Sequence, residues 1–314
     1  MTDVLIIKTS SLGDVVHQMP AIVDASRACP QVRLTWLVEE SFAPLVRLHP
    51  LVADIIPVAT RRWRSQLGAI ATWREIGAFR TRLRRQSFEK VIDTQGLIRS
   101  AIMTRVARGA RHGYDVRSIR EPLAARFYDV WHAVGRGLHA VTRNRLLTGL
   151  SLGYEPTGDV DYGLGCPART DGQRYAVLLH GTSRLSKTWR AEDWIETGRW
   201  LQANGLQTVL PWGTEAERLL SERLSGKIAG SRVQPRQSLD LTAQMIGNAA
   251  LVIGVDTGLM HLAAAYRVPL VGIYVSTDPG LTGPVGTGRM AVLGAKSGPP
   301  SAGQVIDAAE RLLG

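Results

Sequence analysis

The chain predicts an α/β protein built from two doubly wound halves, each a parallel sheet covered by helices. Three observations predict it. Short apolar runs alternate with segments of helical period along both halves. The alternation stops from Tyr154 to Gly172 (YEPTGDVDYGLGCPARTDG), a stretch rich in Gly, Pro and Asp and without periodicity, and then restarts. The run Leu251 to Ala265 (LVIGVDTGLMHLAAA) reads as a buried strand, a polar turn and a small-residue helix. The expected organisation is residues 1–155, a linker at 156–172, and residues 173–314.

In the first half, Val4 to Ile7 (VLII) is a central parallel strand followed by Lys8. Thr9 to Asp14 forms a loop of cap and turn types, and a helix is expected from about Val15 to Ala28. Strands follow at 32–38 and 54–58, with a helix over 41–48 between them. Arg61, Arg62, Trp63 and Arg64 open a basic region. Leu67, Ile70, Ala71, Trp73, Ile76, Phe79 and Leu83 approximate one helical stripe, with arginines on the other face. Lys90 to Asp93 is strand-like and ends in Thr94, Gln95 and Gly96. A helix over 98–107 follows, and Arg117 and Arg120 stand near the start of the next helical stretch.

In the second half, Tyr175 to His180 is a strand, and Trp189 opens a helix that Gly205 stops. Gln207 to Pro211 is a strand, Glu215 to Ser225 a helix, and Leu270 to Tyr274 a strand ending in Ser276 and Thr277. Ser301 to Leu313 is a closing helix, expected to reach back toward the first half. Ligands of such sheets sit beyond the carboxyl ends of the strands, so a cleft between two facing halves is the expected site.

The totals narrow the function. Cys29 and Cys166 are the only cysteines, which excludes a disulfide framework and points to a reducing compartment. The apolar run at the amino terminus is too short for a signal peptide or a membrane span. The net charge of +11 is local: residues 61–145 hold 19 of the 38 Lys and Arg but only 6 of the 27 acids. Such a patch recruits anionic partners. Nucleic acid is one candidate, but it leaves the phosphate-type loops of the second half unexplained. A nucleotide-sugar epimerase is another, but the Gly-rich dinucleotide turn is missing after the first strand.

Those loops form an anion-binding kit. Thr182, Ser183 and Lys187 follow one strand, Gly213 and Glu217 the next, and Asp256, Thr257 and Gly258 a third, with His261 one turn on. Hydroxyls, backbone N–H groups and an ammonium suit a diphosphate, and a carboxylate suits ribose hydroxyls. An ordinary capped helix and a solvated lysine are the structural alternatives. Asp14 is the conspicuous carboxylate of the first half, readable as a helix cap or as a general base. His17 lies on its face. No metal-ligand spacing occurs, so neither a metal nor a cofactor is expected.

With Lys8-Thr-Ser-Ser-Leu-Gly-Asp14, Trp212-Gly213 and Val255-Asp-Thr-Gly-Leu-Met-His-Leu-Ala-Ala264, the chain resembles the bacterial lipopolysaccharide heptosyltransferases of glycosyltransferase family 9. Arg61 to Arg64, Asp93 to Gly96 and Thr277 to Gly280 extend the resemblance over nearly the whole length. It implies a GT-B fold, two Rossmann-like domains facing across a cleft, and transfer with inversion from ADP-L-glycero-β-D-manno-heptose to the Kdo of Kdo2-lipid A. Asp14 then matches the catalytic base. Thr182, Ser183 and Lys187 match diphosphate contacts and Glu217 the ribose acid. Gly213, Asp256, Thr257, Gly258 and His261 complete the donor side. Ser11, Gly13, His17, Arg61, Arg62, Arg64, Gln95 and Arg120 fall on the acceptor side. A monomer is expected, cytoplasmic and peripheral on the inner membrane, where Trp63, Trp73 and Phe79 among arginines would meet the bilayer.

Overall fold

The computed structural model describes residues 2–165, 167, 172–182, 184–295 and 298–314. Cys166, part of the expected linker, and Ser183 lie outside the described residues. The chain divides into two compact units, Met1–Gly158 and Asp159–Gly314.

The first unit carries strands β1 (Thr2–Ile7), β2 (Val32–Glu39), β3 (Val52–Val58), β4 (Ser87–Asp93), β5 (Arg108–Tyr114) and β6 (Val130–His132). They form one sheet in the order β3-β2-β1-β4-β5-β6, every pair parallel. Val4, Leu5, Ile6 and Ile7 of β1 are fully buried, as a strand covered on both faces requires. Parallel pairing sends every strand's carboxyl end to one edge, and the order reverses between β1 and β4. Ile7 stands beside Asp93 there, so the loops beginning at Lys8 and Thr94 are neighbours.

The single helix expected from Val15 to Ala28 is two helices, Leu12–Val16 and Met19–Ala28. Pro20 stands in the first turn of the second, where its missing N–H costs nothing, and inside a continuous helix it would break the ladder. Pro44 likewise shortens the 41–48 helix to Ala43–Val46 behind a 3-10 turn. Strand β5 (RGARHGY) carries no apolar signal because Tyr128 supplies its packing. A Cβ on Gly113 would lie 2.2 Å from the Tyr128 ring, so only glycine leaves room. Arg117 and Arg120 fall in turns before the 3-10 helix Pro122–Phe127, not on an α-helix. The basic helix is Ile70–Arg85, and it buries only Thr72 and Leu83.

The second unit carries β7 (Tyr175–Leu179), β8 (Gln207–Leu210), β9 (Arg232–Val233), β10 (Leu251–Val255), β11 (Leu270–Tyr274) and β12 (Met290–Gly294). Its order β12-β11-β10-β7-β8-β9 is again wholly parallel and repeats the first sheet's winding. Both are Rossmann-type sheets. The strand at 251–255 is fully buried, and Gly254 lets it lie close to β7: a Cβ there would sit 3.0 Å from that of Leu179. The closing helix Ala302–Leu313 packs on the sheet of its own unit. Ala302, Val305, Ala308, Ala309 and Leu312 form one apolar stripe, and that stripe completes the second core beside Trp194 and Ile273.

His112 of β5 and His132 of β6 stack with ring centroids 5.3 Å apart, and His112 Nδ1 lies 3.0 Å from His132 Nε2. Burial pulls the His112 pKa down to about 4, helped by the neighbouring His132 and Lys90, and burial lowers His132 too. The folded chain therefore keeps the pair neutral, while the unfolded chain takes up protons near 6.5. Stability is full above pH 6.5 and falls as pH drops from there toward about 4. Moving from pH 7 to pH 5 should cost the fold on the order of 1–2 kcal/mol through His112 alone. Denaturant melts of wild type and His112→Gln at the two pH values check this: the variant should show a smaller acid loss, and an equal loss would contradict it.

Candidate functional site

The carboxyl edge of each sheet gathers the polar residues. In the first, Lys8 follows β1 and is 6% exposed. Its Nζ donates to the Thr94 carbonyl at 2.7 Å and to Asn144 Oδ1 at 3.3 Å. Burial lowers its pKa, against the opposing pull of Asp14 and Asp93. Gln95 Oε1 accepts from the backbone N–H groups of Thr9 and Ser10, both at 3.1 Å, which ties the β1 loop to the β4 loop. Arg99 donates to Ser10 Oγ at 2.7 Å.

Asp93 closes the β4 turn. Its Oδ1 accepts from the N–H groups of Gln95 and Gly96, and Gly96 takes a left-handed φ of +67° that suits glycine. Its Oδ2 accepts from the Tyr128 hydroxyl at 2.8 Å. Burial raises the Asp93 pKa, and those hydrogen bonds pull the other way. Asp14 stands in the first turn of Leu12–Val16. Its Oδ2 accepts from Ser11 N–H at 2.7 Å and from Ser11 Oγ at 3.0 Å. The capping role read from the sequence is therefore realised, and it holds the carboxylate in place. Lys8, Asp14, Tyr114, Arg120, Arg143 and Asn144 line one recess of about 130 Å³, with Thr94, Gln95 and Ala140.

The other acceptor-side residues divide. His17 is buried, its ring edge-on to His139 at 5.5 Å, and Gly13 shares the short helix with Asp14. Arg61, Arg62 and Arg64 lie on the helix Thr60–Ser65, just past β3. Arg62 is committed to two carboxylates: a fork to Glu40 at 3.0 and 3.1 Å, and Glu75 at 2.8 Å. Arg61 lies over the Phe42 ring at 5.2 Å, and Arg64 is exposed. Of the three aromatics, Trp63 and Phe79 pack edge-to-face against the core, and Trp73 is 59% exposed.

In the second unit the order β11-β10-β7-β8 sets four strand-end loops side by side. The loops after β7 and β11 converge on Asp256 of the β10 loop. Its Oδ2 accepts from Lys187 Nζ at 2.5 Å and from Thr277 Oγ1 at 2.8 Å, and its carbonyl accepts from Thr182 Oγ1 at 3.3 Å. Lys187 reaches in from a 3-10 turn, Leu185–Lys187. Thr257 holds the N-cap position of the helix Gly258–Ala265 without a side-chain capping bond, and the first turn directs N–H groups and the positive end of the helix dipole to this loop. His261 is buried on that helix. Glu217 Oε2 accepts from Gly213 N–H at 2.7 Å and Thr214 N–H at 3.0 Å. A Cβ on Gly181 would meet Glu217 Oε1 at 2.6 Å, so a glycine there keeps that carboxylate at the β7 loop. His180 bonds Ser221 Oγ at 2.7 Å, and burial pulls its pKa down to about 4, so it is a neutral structural group.

Sequence reasoning did not single out Asn144, Arg143, Tyr114 or Thr277 as site residues. Thr277 follows a fully buried strand, the same signal that marks Thr182 and Asp256. Arg143 and Asn144 carry no local signal, because they enter the first edge from the helix Ala140–Leu152. Among the described residues no group of three or more His, Cys, Asp and Glu is placed to hold a metal ion, and no helix is long and apolar enough to cross a membrane.

Residues 76–305 match the family model for glycosyltransferase family 9 (heptosyltransferase). The chain is 42% identical to lipopolysaccharide heptosyltransferase 1 of Escherichia coli strain K12 over 293 residues, 91% of this chain and 92% of that one. The structure of E. coli heptosyltransferase WaaC with ADP superposes with a TM-score of 0.92 at 39% identity, covering 99% of this chain and 100% of that chain. The same enzyme with ADP-2-deoxy-2-fluoro heptose gives a TM-score of 0.87 at 39% identity, covering 99% of each chain.

Proposed function

We propose that this chain, which belongs to glycosyltransferase family 9 and is a lipopolysaccharide heptosyltransferase of the first type, moves heptose from ADP-L-glycero-β-D-manno-heptose to the Kdo of Kdo2-lipid A with inversion. The observation that supports the donor reading best is the convergence of Thr182, Lys187 and Thr277 on Asp256 beside the amino-terminal turn of Gly258–Ala265. Hydroxyls, an ammonium and free helical N–H groups at one sheet edge are the groups a diphosphate needs. In this reading Lys187 exchanges its bond to Asp256 for the diphosphate, and Asp256 is released to the heptose. Glu217 takes ribose hydroxyls, with Gly213, Thr257 and His261 around the nucleotide. Ser183 is assigned to the same set from its place in the sequence.

The reaction is a single displacement. Asp14 takes the proton of the Kdo hydroxyl as that oxygen bonds to the anomeric carbon of the heptose. The bond from that carbon to the diphosphate oxygen breaks, and ADP leaves with the electron pair. The transition state is oxocarbenium-like, as in related glycosyl chemistry. Lys187 and the N–H groups of Thr257 and Gly258 stabilise the charge that grows on the diphosphate. Ser11 holds Asp14 in one orientation, a form of preorganisation.

The acceptor is anionic, which gives the basic first unit its purpose. Ser11, Gly13, His17, Gln95 and Arg120 belong to its sheet edge, and Arg61, Arg62 and Arg64 to the adjoining basic helix. Leu67, Ile70 and Trp73 are 51%, 73% and 59% exposed among arginines, which suits contact with an anionic bilayer. We assign the protein to the cytoplasmic face of the inner membrane, as a monomer.

Replacing Asp14 by Asn keeps a capping side chain and removes the base. Turnover should fall by about a hundredfold or more, with ADP affinity unchanged by calorimetry; wild-type turnover would refute the assignment. Lys187→Ala should weaken ADP binding by about tenfold or more, read in the same titration. Equal affinity would remove Lys187 from the diphosphate site.

A further inference from the structure

One face of the first sheet carries a groove that the transfer reaction leaves unused. The connections from β3 to β4, β4 to β5 and β5 to β6 cross the sheet in one direction. Right-handed crossovers therefore put the helices Ile70–Arg85 and Ile98–Val106 and the 3-10 helix Pro122–Phe127 on the same face. Beside the last two lies a groove of about 630 Å³. Its apolar wall is Ile98, Leu123 and Phe127, with Ile98 37% and Leu123 56% exposed. Arg105, Arg111 and Arg126 bring three cations to it, against Asp129 as the one acid. Asp129 is taken by Arg111, whose Nε–H and backbone N–H both donate to Oδ2. Arg105 and Arg126 are exposed and have no hydrogen-bonded acid among the described residues. A second hollow of about 410 Å³ shares Arg126 and carries Val116 and Trp131, each 58% exposed.

We propose that this groove holds one anionic phospholipid of the bilayer, with its phosphate between Arg105 and Arg126 and an acyl chain along Leu123 and Phe127. The proposal rests on the membrane contact given above and names the lipid class that makes it. Two guanidiniums without acids suit a phosphodiester, which accepts from several N–H groups at once. The apolar wall is what separates a lipid from other anions. Nucleic acid would meet the arginines and leave Leu123, Val116 and Trp131 facing water, and apolar patches of that kind mark docking surfaces. A second copy of the chain would bring the same arginines face to face, which repels. A groove of this size takes a headgroup and the first carbons of a chain, while the rest of the lipid stays in the bilayer. Trp131, on the edge strand β6, adds an aromatic ring of the kind that settles at a membrane interface. A lipid held there turns the face of the basic helix toward the membrane.

The test uses the full chain and a short-chain phosphatidylglycerol that is monomeric in solution, read by calorimetry. Wild type should bind one molecule per chain, about tenfold or more tighter than phosphatidylcholine of the same chain length or glycerol phosphate. The double variant Arg105→Gln, Arg126→Gln should weaken binding by about 30-fold. Leu123→Ser should weaken it by about fivefold and leave glycerol phosphate unaffected. All three side chains are exposed, so these variants keep the core and the turnover on a soluble acceptor. Wild-type affinity in the double variant or in Leu123→Ser overturns the proposal. So does glycerol phosphate that binds as well as the lipid, which marks a plain anion site, and so does phosphatidylcholine that binds equally. Vesicles of phosphatidylglycerol and phosphatidylcholine in equal parts read the bilayer contact separately, by sedimentation. A wild type that sediments with them and does not bind the soluble lipid leaves the contact to the basic helix and removes the groove. One that binds the soluble lipid and does not sediment refutes the bilayer reading, and with it the bilayer as the source of the lipid.

Discussion

Parallel pairing is the constraint on which the rest depends. A parallel strand has to be followed by a crossover, so all the strands of each sheet end at one edge. Both faces are then covered, and the central strands become continuous apolar runs such as VLII and LVIGV. Polar residues have no place within those strands. They collect immediately after them, and the two loops that flank each reversal of strand order lie next to each other. Lys8 and Thr94 meet this way in the first sheet, and His180 and Asp256 follow adjacent strands in the second.

Within those edges two carboxylates serve the fold as caps, and the proposed function assigns chemistry to the same atoms. Asp14 and Glu217 are both the third residue of a capping box, each bonded back to the residue that starts its helix. A cap orients a carboxylate and removes its rotational freedom, and a base or a ribose ligand needs that same fixed orientation. Asp256 is held differently, by a lysine and a threonine from two other loops. The alternatives of cap and ligand, open when the residues are read singly, are compatible in the folded molecule.

The basic half shows how charge is distributed once the chain is folded. Part of it is neutralised locally: Arg62 by Glu40 and Glu75, Arg145 by Asp24 at 2.6 Å, and Arg111 by Asp129. The Arg145 pair is the most buried of these, and its guanidinium also reaches the carbonyls of Thr157 and Gly158, so it anchors the end of the first unit. Lys8, Arg120 and Arg143 line the recess beside Asp14, and Arg74, Arg80, Arg84 and Arg85 are exposed on the helix Ile70–Arg85. Net charge indicates an anionic partner, but it does not say which arginines meet it.

The sequence by itself determined the doubly wound α/β class and the strand-end positions of Asp14, Lys187, Glu217 and Asp256. Each of these depends on local periodicity, caps or turn residues, which act over a few positions. Tertiary structure alone decided the rest. Strand β5 is polar and glycine-containing, and it becomes a strand because Tyr128 fills the space over Gly113 and bonds Asp93. The closing helix shows an apolar stripe in the sequence, but only folding chose the sheet that covers it. Arg143 and Asn144 reach the recess from a helix more than a hundred residues after Lys8, and the Lys8–Asn144 bond spans 136 positions. Contacts of that range leave no periodic trace, because they are set by which surfaces pack, and packing is a property of the whole fold.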